Sequence, residues 1–246
     1  RIGGFGCCGF YDAVGADAVG AAHSSPRTVH FVQCAKDFLA AAKEHGWPVD
    51  FFSYHSYSDA PDALRQVAYA DRLLNEYGFT LDRTERIFNE WLPAVSHENL
   101  GTAKQAAQIA AELIGLQNGP CDMACIYDAR CGIGNYSPLF NPLTYKPFPA
   151  YSVFKFYDEL YRAGTRVKVE DDPAKGLYAV AATDGRGTGW LLAANIGEKP
   201  LPLPKPSGAN WTARGCRAVD ADRTDGAIAV PGEIAANQVL LVKFEK

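Results

Sequence analysis

Positive charge is not in excess in this sequence. Its 246 residues carry 24 Lys and Arg against 28 Asp and Glu, which gives a formal net charge of −4. This balance excludes a broad basic surface of the kind that neutralises nucleic-acid phosphates. Long apolar runs are missing as well, since none approaches the roughly 18 residues that a membrane-spanning helix needs. We therefore expect neither nucleic acid nor a membrane as a partner.

An initiator methionine and a signal peptide are also lacking. The chain opens on Arg1-Ile2-Gly3-Gly4, with no charged segment followed by an apolar stretch. A secretory signal would show both features. Either the start has been removed by processing or the sequence is an internal piece of a longer protein.

Cysteine is present in an odd number, seven, and without a pattern that gives it a clear role. Cys121, Cys125 and Cys131 do not form CxxC pairs, and no histidine stands at ligand spacing, so a zinc cluster is not expected. Buried free thiols are the simpler interpretation, with one or two disulfides left open.

Two other catalytic patterns are incomplete. The opening Gly3-Gly4-Phe5-Gly6 lacks both the GxGxxG spacing and the Lys-Ser/Thr ending of nucleotide-binding loops. A Cys–His hydrolase would pair Cys7 or Cys8 with His55, but nothing in the neighbouring sequence supports it. The sequence therefore predicts neither a metal nor an organic cofactor.

Short apolar strands alternate with amphipathic helices through the first 165 residues. The predicted helices cover residues 32–44, 59–78, 102–116 and 150–162, and the predicted strands start near residue 49 and cover 85–91 and 123–127, with 1–5 as one further strand. This alternation predicts right-handed βαβ units in a parallel sheet. Four such units are half of the eight in a closed barrel of about 250 residues.

The helical period disappears beyond residue 166. Apolar runs at 177–182 and 189–194 flank Asp184-Gly185, which is a hairpin signal. Further strands are predicted at 211–219, 227–230 and 238–244, and the proline-rich 200–206 predicts a stiff connector. We therefore predict two domains: half of a (β/α)8 barrel in residues 1–165, and a small antiparallel β-sandwich in 166–246.

The predicted parallel strands end in residues suited to carbohydrate chemistry. These strand ends carry His55, Tyr57, Asn89, Glu90, Trp91, Tyr127 and Asp128. The carboxyl ends of barrel strands form the catalytic face. Glycoside hydrolysis needs two carboxylates, aromatic rings pack on sugar faces, and His and Asn side chains hold hydroxyls. Carbohydrate is therefore the predicted substrate, Glu90 the predicted catalytic residue, and the other six the predicted substrate contacts.

Several of these residues also have a structural interpretation. His55 either touches substrate or braces the rim as a buried histidine. Tyr57 either donates its hydroxyl to the catalytic carboxylate or packs at the rim. Trp91 is either a sugar platform or part of the core. Asp128 either contacts sugar, caps a loop or pairs with Arg130.

Three motifs together resemble the second half of glycoside hydrolase family 39 and its clan A relatives. They are Arg1-Ile2-Gly3-Gly4-Phe5-Gly6, Val49-Asp50-Phe51-Phe52-Ser53-Tyr54-His55-Ser56-Tyr57 and Ile87-Phe88-Asn89-Glu90-Trp91. They are similar to the family's glycine-rich strand, its DF-x-S-x-H-x-Y-like strand and its nucleophile strand. Residues 139–151 resemble the loop before the last barrel helix, so the resemblance covers nearly the whole chain.

The resemblance implies a retaining glycosidase, with barrel strands 5 to 8 followed by a β domain. Glu90 matches the nucleophile, and His55 and Tyr57 match the polar pair on the preceding strand. The family's acid/base belongs to an Asn-Glu pair upstream of the segment that matches Arg1. The Asn-Glu pairs of this sequence are Asn89-Glu90 and Asn75-Glu76, and the latter falls late in a predicted helix.

The acid/base is therefore expected from a missing N-terminal half-barrel, on the same or another chain. Four strands cannot close a barrel, so this half is expected to pack against four further units or to self-associate through its open edges. The family favours a secreted or periplasmic location. The alternative is a non-catalytic carbohydrate-binding or interaction module that keeps the aromatic rim but not the acid.

Overall fold

The computed structural model describes residues 1–206 and 210–246. The helices are α1 (Tyr11–Val14), α2 (Pro26–His45), α3 (Ala60–Glu76), α4 (Ala103–Asn118) and α5 (Pro149–Ala163), with a 3-10 turn at Pro173–Lys175. The strands are β1 (Phe51–Ser56), β2 (Glu85–Trp91), β3 (Met123–Ile126), β4 (Thr165–Val167), β5 (Leu177–Thr183), β6 (Thr188–Asn195), β7 (Leu201–Pro202), β8 (Thr212–Val219), β9 (Gly226–Ile228), β10 (Glu233–Ile234) and β11 (Gln238–Glu245).

The chain forms two compact units. The first comprises Arg1–Val95 and Gly115–Tyr127, and the second comprises Ser96–Ile114 and Asp128–Lys246. These units are drawn differently from the domains predicted at residues 1–165 and 166–246, and that boundary stays a prediction. None of the helices in the described residues combines the length and apolar content that a bilayer crossing requires.

The first unit is built on a parallel sheet with the strand order β1-β2-β3. The opening segment lies beside β1 and joins it through isolated parallel bridges, Gly3 with Phe51 and Cys7 with Tyr54. It therefore occupies the place of the predicted first strand, although its ladder is interrupted. The four extended segments form an open sheet.

Local signals in the sequence set the helix boundaries. Helix α2 begins after Ser25, whose hydroxyl accepts a hydrogen bond from the Thr28 N–H at 3.3 Å, and Pro26 occupies its first turn. It ends at Gly46, which adopts the left-handed conformation (φ 66°) that favours glycine. The predicted helix at 32–44 is confirmed, and capping extends it by two turns at its start.

An aromatic cluster forms the core of the first unit. Phe10, Phe52, Tyr54, Phe88 and Trp91 are all at most 1% exposed. Neighbouring ring centroids lie 5.4 to 6.4 Å apart across the cluster. Burying large rings of this kind supplies much of the apolar burial that stabilises a small unit. The buried rings of β1 and β2 therefore hold the carboxyl ends of these two strands in place.

The second unit contains a six-stranded sheet of order β4-β5-β6-β11-β8-β9. Strands β5 and β6 form the predicted hairpin, with Gly185 in the left-handed region at the turn (φ 71°). Strands β7 and β10 pair in a separate two-stranded sheet, so part of the predicted proline-rich connector is a short strand. Both sheets share a core that includes Leu240 and Val242 of β11, Ala193 of β6 and Ile234 of β10.

Candidate active site

An extra residue in β2 shapes the carboxyl end of this strand. Strands β1 and β2 pair regularly up to Phe88, but the next residue of β1, His55, pairs with Glu90, which leaves Asn89 as the extra residue. The register against β3 shifts over the same stretch. A bulge of this kind re-aims the side chains that follow it. Phe88 and Trp91 are therefore both buried, whereas Asn89 and Glu90 are both partly exposed.

Glu90 accepts a hydrogen bond from the hydroxyl of Tyr57, which is the contact predicted from the sequence. The Tyr57 ring lies edge-on to Tyr127, with centroids 6.5 Å apart, and 6.4 Å from the His55 ring. Four of the predicted site residues therefore form one cluster, in which a carboxylate stands beside aromatic rings and an imidazole.

His55 is held mainly in its neutral form. Burial lowers the pKa of its imidazole below the usual value, while the charge of Glu90 and the side chain of Asn89 act in the opposite direction. An imidazole that is neutral near pH 7 can accept or donate a hydrogen bond to a sugar hydroxyl without adding a buried charge.

This shifted pKa predicts a pH-dependent loss of stability. The unfolded chain takes up a proton on His55 near pH 6.5, before the folded protein does, so stability falls as the pH drops from about 6.5 through the lower folded pKa. We expect the free energy of unfolding of the complete protein to fall more between about pH 7.5 and about pH 5.5 in the wild type than in His55→Gln. Denaturant titrations at both pH values measure this, and equal losses would contradict the shift.

Trp91 is a core residue. Its side chain is 1% exposed and its ring stacks on Phe88, with centroids 6.4 Å apart and an interplanar angle of 7°. A ring buried in this way has no face to offer a sugar. The prediction that Trp91 contacts substrate is wrong, because the bulge in β2 turns Trp91 to the buried side.

Asp128 lies in the second unit. Its carboxylate pairs with Arg130 at 2.8 Å, and its backbone N–H donates to the Tyr136 carbonyl at 2.7 Å. The ion pair between Asp128 and Arg130, which was one of the alternatives for Asp128, is therefore present in the structure. The predicted contact of Asp128 with sugar stays a prediction.

Cys8 is a neighbour of Glu90 that the sequence patterns did not indicate. Burial raises the pKa of the Cys8 thiol, the charge of Glu90 raises it further, and Arg27 opposes both. Cys8 therefore lies near the carboxylate, and its raised pKa keeps it a neutral thiol. Catalytic groups of barrels stand at the carboxyl ends of strands. Cys8 follows the opening segment, which lies beside β1, so the same reasoning would have pointed to Cys8.

Among the described residues, the thiols and acidic groups do not assemble into a metal centre. All seven cysteines are free. Within residues 1–206 and 210–246, no three His, Cys, Asp or Glu side chains are grouped so that they could hold a metal ion. What the site offers is a carboxylate with a hydroxyl donor, which is suited to attack on an electrophilic carbon or to binding of hydroxyl groups.

Comparison with known proteins gives matches in structure only. No protein-family model and no curated protein matches the sequence. A glucosidase from Croceicoccus marinus is 18% identical, with a TM-score of 0.65, over 86% of this chain and 57% of that chain. A GH39 β-xylosidase from Caulobacter crescentus is 18% identical, with a TM-score of 0.60, over 86% and 54%. The GH39 enzyme from Xanthomonas axonopodis pv. citri is 14% identical, with a TM-score of 0.60, over 96% and 64%.

These matches establish the fold. The chain spans between 54% and 64% of the length of the three structures. It has the fold of part of a (β/α)8 barrel followed by an antiparallel β domain, and the predicted resemblance to family 39 glycosidases is confirmed at that level.

Proposed function

We propose that the complete protein is a retaining glycoside hydrolase in which Glu90 is the nucleophile. The observation that carries this proposal is the hydrogen bond from the Tyr57 hydroxyl to the Glu90 carboxylate, at the carboxyl end of a parallel strand. Catalytic groups of barrel enzymes stand at such strand ends. The fold likeness to a glucosidase and to a β-xylosidase adds support.

The proposed reaction is a double displacement. The Glu90 carboxylate attacks the anomeric carbon, the bond to the leaving oxygen breaks, and an acid protonates that oxygen. Water then attacks the anomeric carbon from the face opposite the ester, the deprotonated acid/base takes up a proton from that water, and the bond to the Glu90 carboxylate breaks. Tyr57 orients the carboxylate through its hydrogen bond, and we assign His55 and Asn89 to the binding of ring hydroxyls.

The acid/base is proposed to come from a preceding half-barrel on the same or another chain. In each of the three solved structures named above, more than a third of the chain lies outside the match, since 54% to 64% of it is covered. Asn75-Glu76 cannot supply the acid at the rim, because Glu76 is the last residue of α3. In a retaining enzyme the acid/base carboxyl would lie about 5 to 5.5 Å from Glu90.

The sheet of the first unit carries features that suit such a partner. Met123 and Tyr127, at the two ends of the β3 segment, are 52% and 36% exposed. Within the described residues, β3 pairs on one side only, with β2. Apolar groups at an open sheet edge favour association with further strands.

A non-catalytic carbohydrate-binding module is the second candidate. It is favoured by one observation, that the aromatic and hydroxyl groups of the rim are present in this chain without a second Asn-Glu pair at a strand end. Such a module would bind sugar through Tyr57, Tyr127 and His55 and leave glycosidic bonds intact.

The stereochemistry of hydrolysis distinguishes these functions. We expect the complete protein to cleave aryl glycosides from a panel that includes glucosides and xylosides, and the first-formed sugar to keep its anomeric configuration. Proton NMR of the anomeric signal during the first turnovers measures this. Release of the inverted anomer would contradict the proposal that Glu90 is a nucleophile. Sugar binding by calorimetry with no cleavage of any substrate in the panel would favour the module.

A further inference from the structure

The turn after β1 is fixed by a buried polar cluster. Ser56, Ser58 and Gln66 are all at most 5% exposed. The amide nitrogen of Gln66 donates to the hydroxyl of Ser56 at 2.9 Å and to that of Ser58 at 3.1 Å, and the Ser58 N–H donates to the Ser56 hydroxyl at 3.2 Å. Each of these bonds is expensive to lose because a buried polar atom would remain unpaired. The cluster therefore holds the backbone on both sides of Tyr57.

Tyr11 fixes the residue between the two serines. The backbone N–H of Tyr57 donates to the Tyr11 hydroxyl at 2.9 Å, and Tyr11 is 3% exposed. The Phe10 N–H donates to the side-chain oxygen of Gln66 at 2.8 Å. Gln66 therefore ties the segment of Tyr11 to the same turn that carries Tyr57.

A glycine lets these two segments approach each other. Gly9 has φ +104°, and a Cβ at this position would lie 2.6 Å from the carbonyl oxygen of His55 and 2.8 Å from the Tyr11 ring. Any other residue would force the segments apart. The close approach is therefore built into the fold.

We infer that Tyr11 is a positioning residue, which holds the Tyr57 hydroxyl against Glu90 through its hydrogen bond with the Tyr57 backbone. The inference rests on the proposed function, because it gives Tyr11 a part in catalysis through Glu90. Hydrogen bonds weaken steeply as their geometry degrades, and precise sites depend on such supporting contacts. Removing the Tyr11 hydroxyl frees the Tyr57 backbone and loosens the contact with the carboxylate.

The chain contains a matched control for this change. Tyr54 lies on β1, is 0% exposed, and its hydroxyl has no hydrogen-bond partner within the described part of the chain. Tyr54→Phe therefore removes the same atom from the same region without breaking a hydrogen bond. It separates an effect of positioning from a general effect of losing a buried hydroxyl.

The first test is kinetic, in the complete protein. We expect Tyr11→Phe to lower kcat about five- to tenfold, the effect of one lost hydrogen bond, with little change in KM. Tyr57→Phe should give the larger change in the same direction, and Tyr54→Phe none.

The double variant tests whether Tyr11 acts through Tyr57. Adding Tyr11→Phe to Tyr57→Phe should change kcat by less than about twofold, since the contact is already lost. Additive losses would overturn the inference, as would a loss in Tyr11→Phe that is confined to KM and leaves kcat unchanged.

A second readout does not depend on turnover. Carbon-13 NMR measures the chemical shift of the Glu90 carboxyl carbon at one fixed pH, with its signal assigned from the Glu90→Gln variant. The signal should move in Tyr11→Phe in the same direction as in Tyr57→Phe, because both changes weaken the donated hydrogen bond, and it should stay in place in Tyr54→Phe. If the signal moves in this way in a protein that cleaves no glycoside, the positioning role holds and the proposed function fails. If Glu90 is essential for cleavage but Tyr11→Phe leaves the signal in place, the positioning role fails.

Discussion

Replacing Glu90 by Gln is expected to lower the kcat of the complete protein by several powers of ten, because the covalent step of the proposed reaction loses its nucleophile. The substitution keeps the size of the side chain and can still pair with the Tyr57 hydroxyl. Sugar affinity and the free energy of unfolding are therefore expected to stay close to the wild-type values. Steady-state kinetics, calorimetry and denaturant titration measure the three quantities.

Glu85→Gln is the matched control for this prediction. Glu85 lies at the opposite end of β2, where it pairs with Arg1 at 2.8 Å, so its loss should leave kcat unchanged. In Glu90→Ala, added azide can occupy the vacated space and attack the anomeric carbon, which restores cleavage and yields a glycosyl azide of inverted configuration. Near-normal turnover by Glu90→Gln would remove Glu90 from the reaction.

The largest expected loss of stability comes from Arg86, which supports β2 from its buried side. Its side chain is 0% exposed and is bonded to Asp71 at 3.0 Å, to the Phe79 carbonyl at 2.9 Å, to Asn75 at 3.3 Å and to the Thr84 carbonyl. Removing one member of a buried ion pair costs about 3 to 5 kcal/mol. We expect Arg86→Leu to lower the free energy of unfolding by about that amount, as measured by denaturant titration.

Arg65→Leu provides the comparison. Arg65 pairs with Asp62 at 2.5 Å on α3, but both side chains are exposed, and such pairs contribute about 0 to 1 kcal/mol. If the two variants lose equal amounts of stability, the buried network is not the support for β2 that the structure indicates.

The strand–helix alternation and the strand ends could be predicted from the sequence because both depend on local pattern. Predicted strand 85–91 and observed β2 have the same bounds. The contact of Tyr57 with Glu90 could also be predicted, because parallel strands bring their carboxyl ends to one edge.

The bulge in β2 could not be predicted in this way. In a regular strand, alternation from Phe88 would place Glu90 on the buried side of the sheet and Trp91 on the opposite side. The extra residue at Asn89 reverses these two positions, so that Trp91 is buried and Glu90 is partly exposed. Nothing in the sequence Phe88-Asn89-Glu90-Trp91 marks a bulge. The sequence therefore misled on Trp91 although it was right about the strand.

The buried polar residues could not be predicted from the sequence either. Gln66 and Arg86 are buried in the structure. Each is a polar residue in a segment of apolar periodicity, and periodicity alone would place it on the exposed side. Their partners come from segments distant in sequence, such as Phe10 and Asp71. Long-range hydrogen bonds of this kind become visible only in the folded chain.

Trapping of the covalent intermediate tests the central claim most directly. A 2-deoxy-2-fluoro glycoside with a good leaving group, built on a sugar that the complete protein cleaves, slows breakdown of the glycosyl ester more than its formation, so the ester accumulates. We expect mass spectrometry of the digested protein to find one fluorosugar per chain, attached to Glu90. A fluorosugar attached to another carboxylate, or none in a protein that cleaves the parent glycoside, would contradict the assignment of Glu90 as the nucleophile.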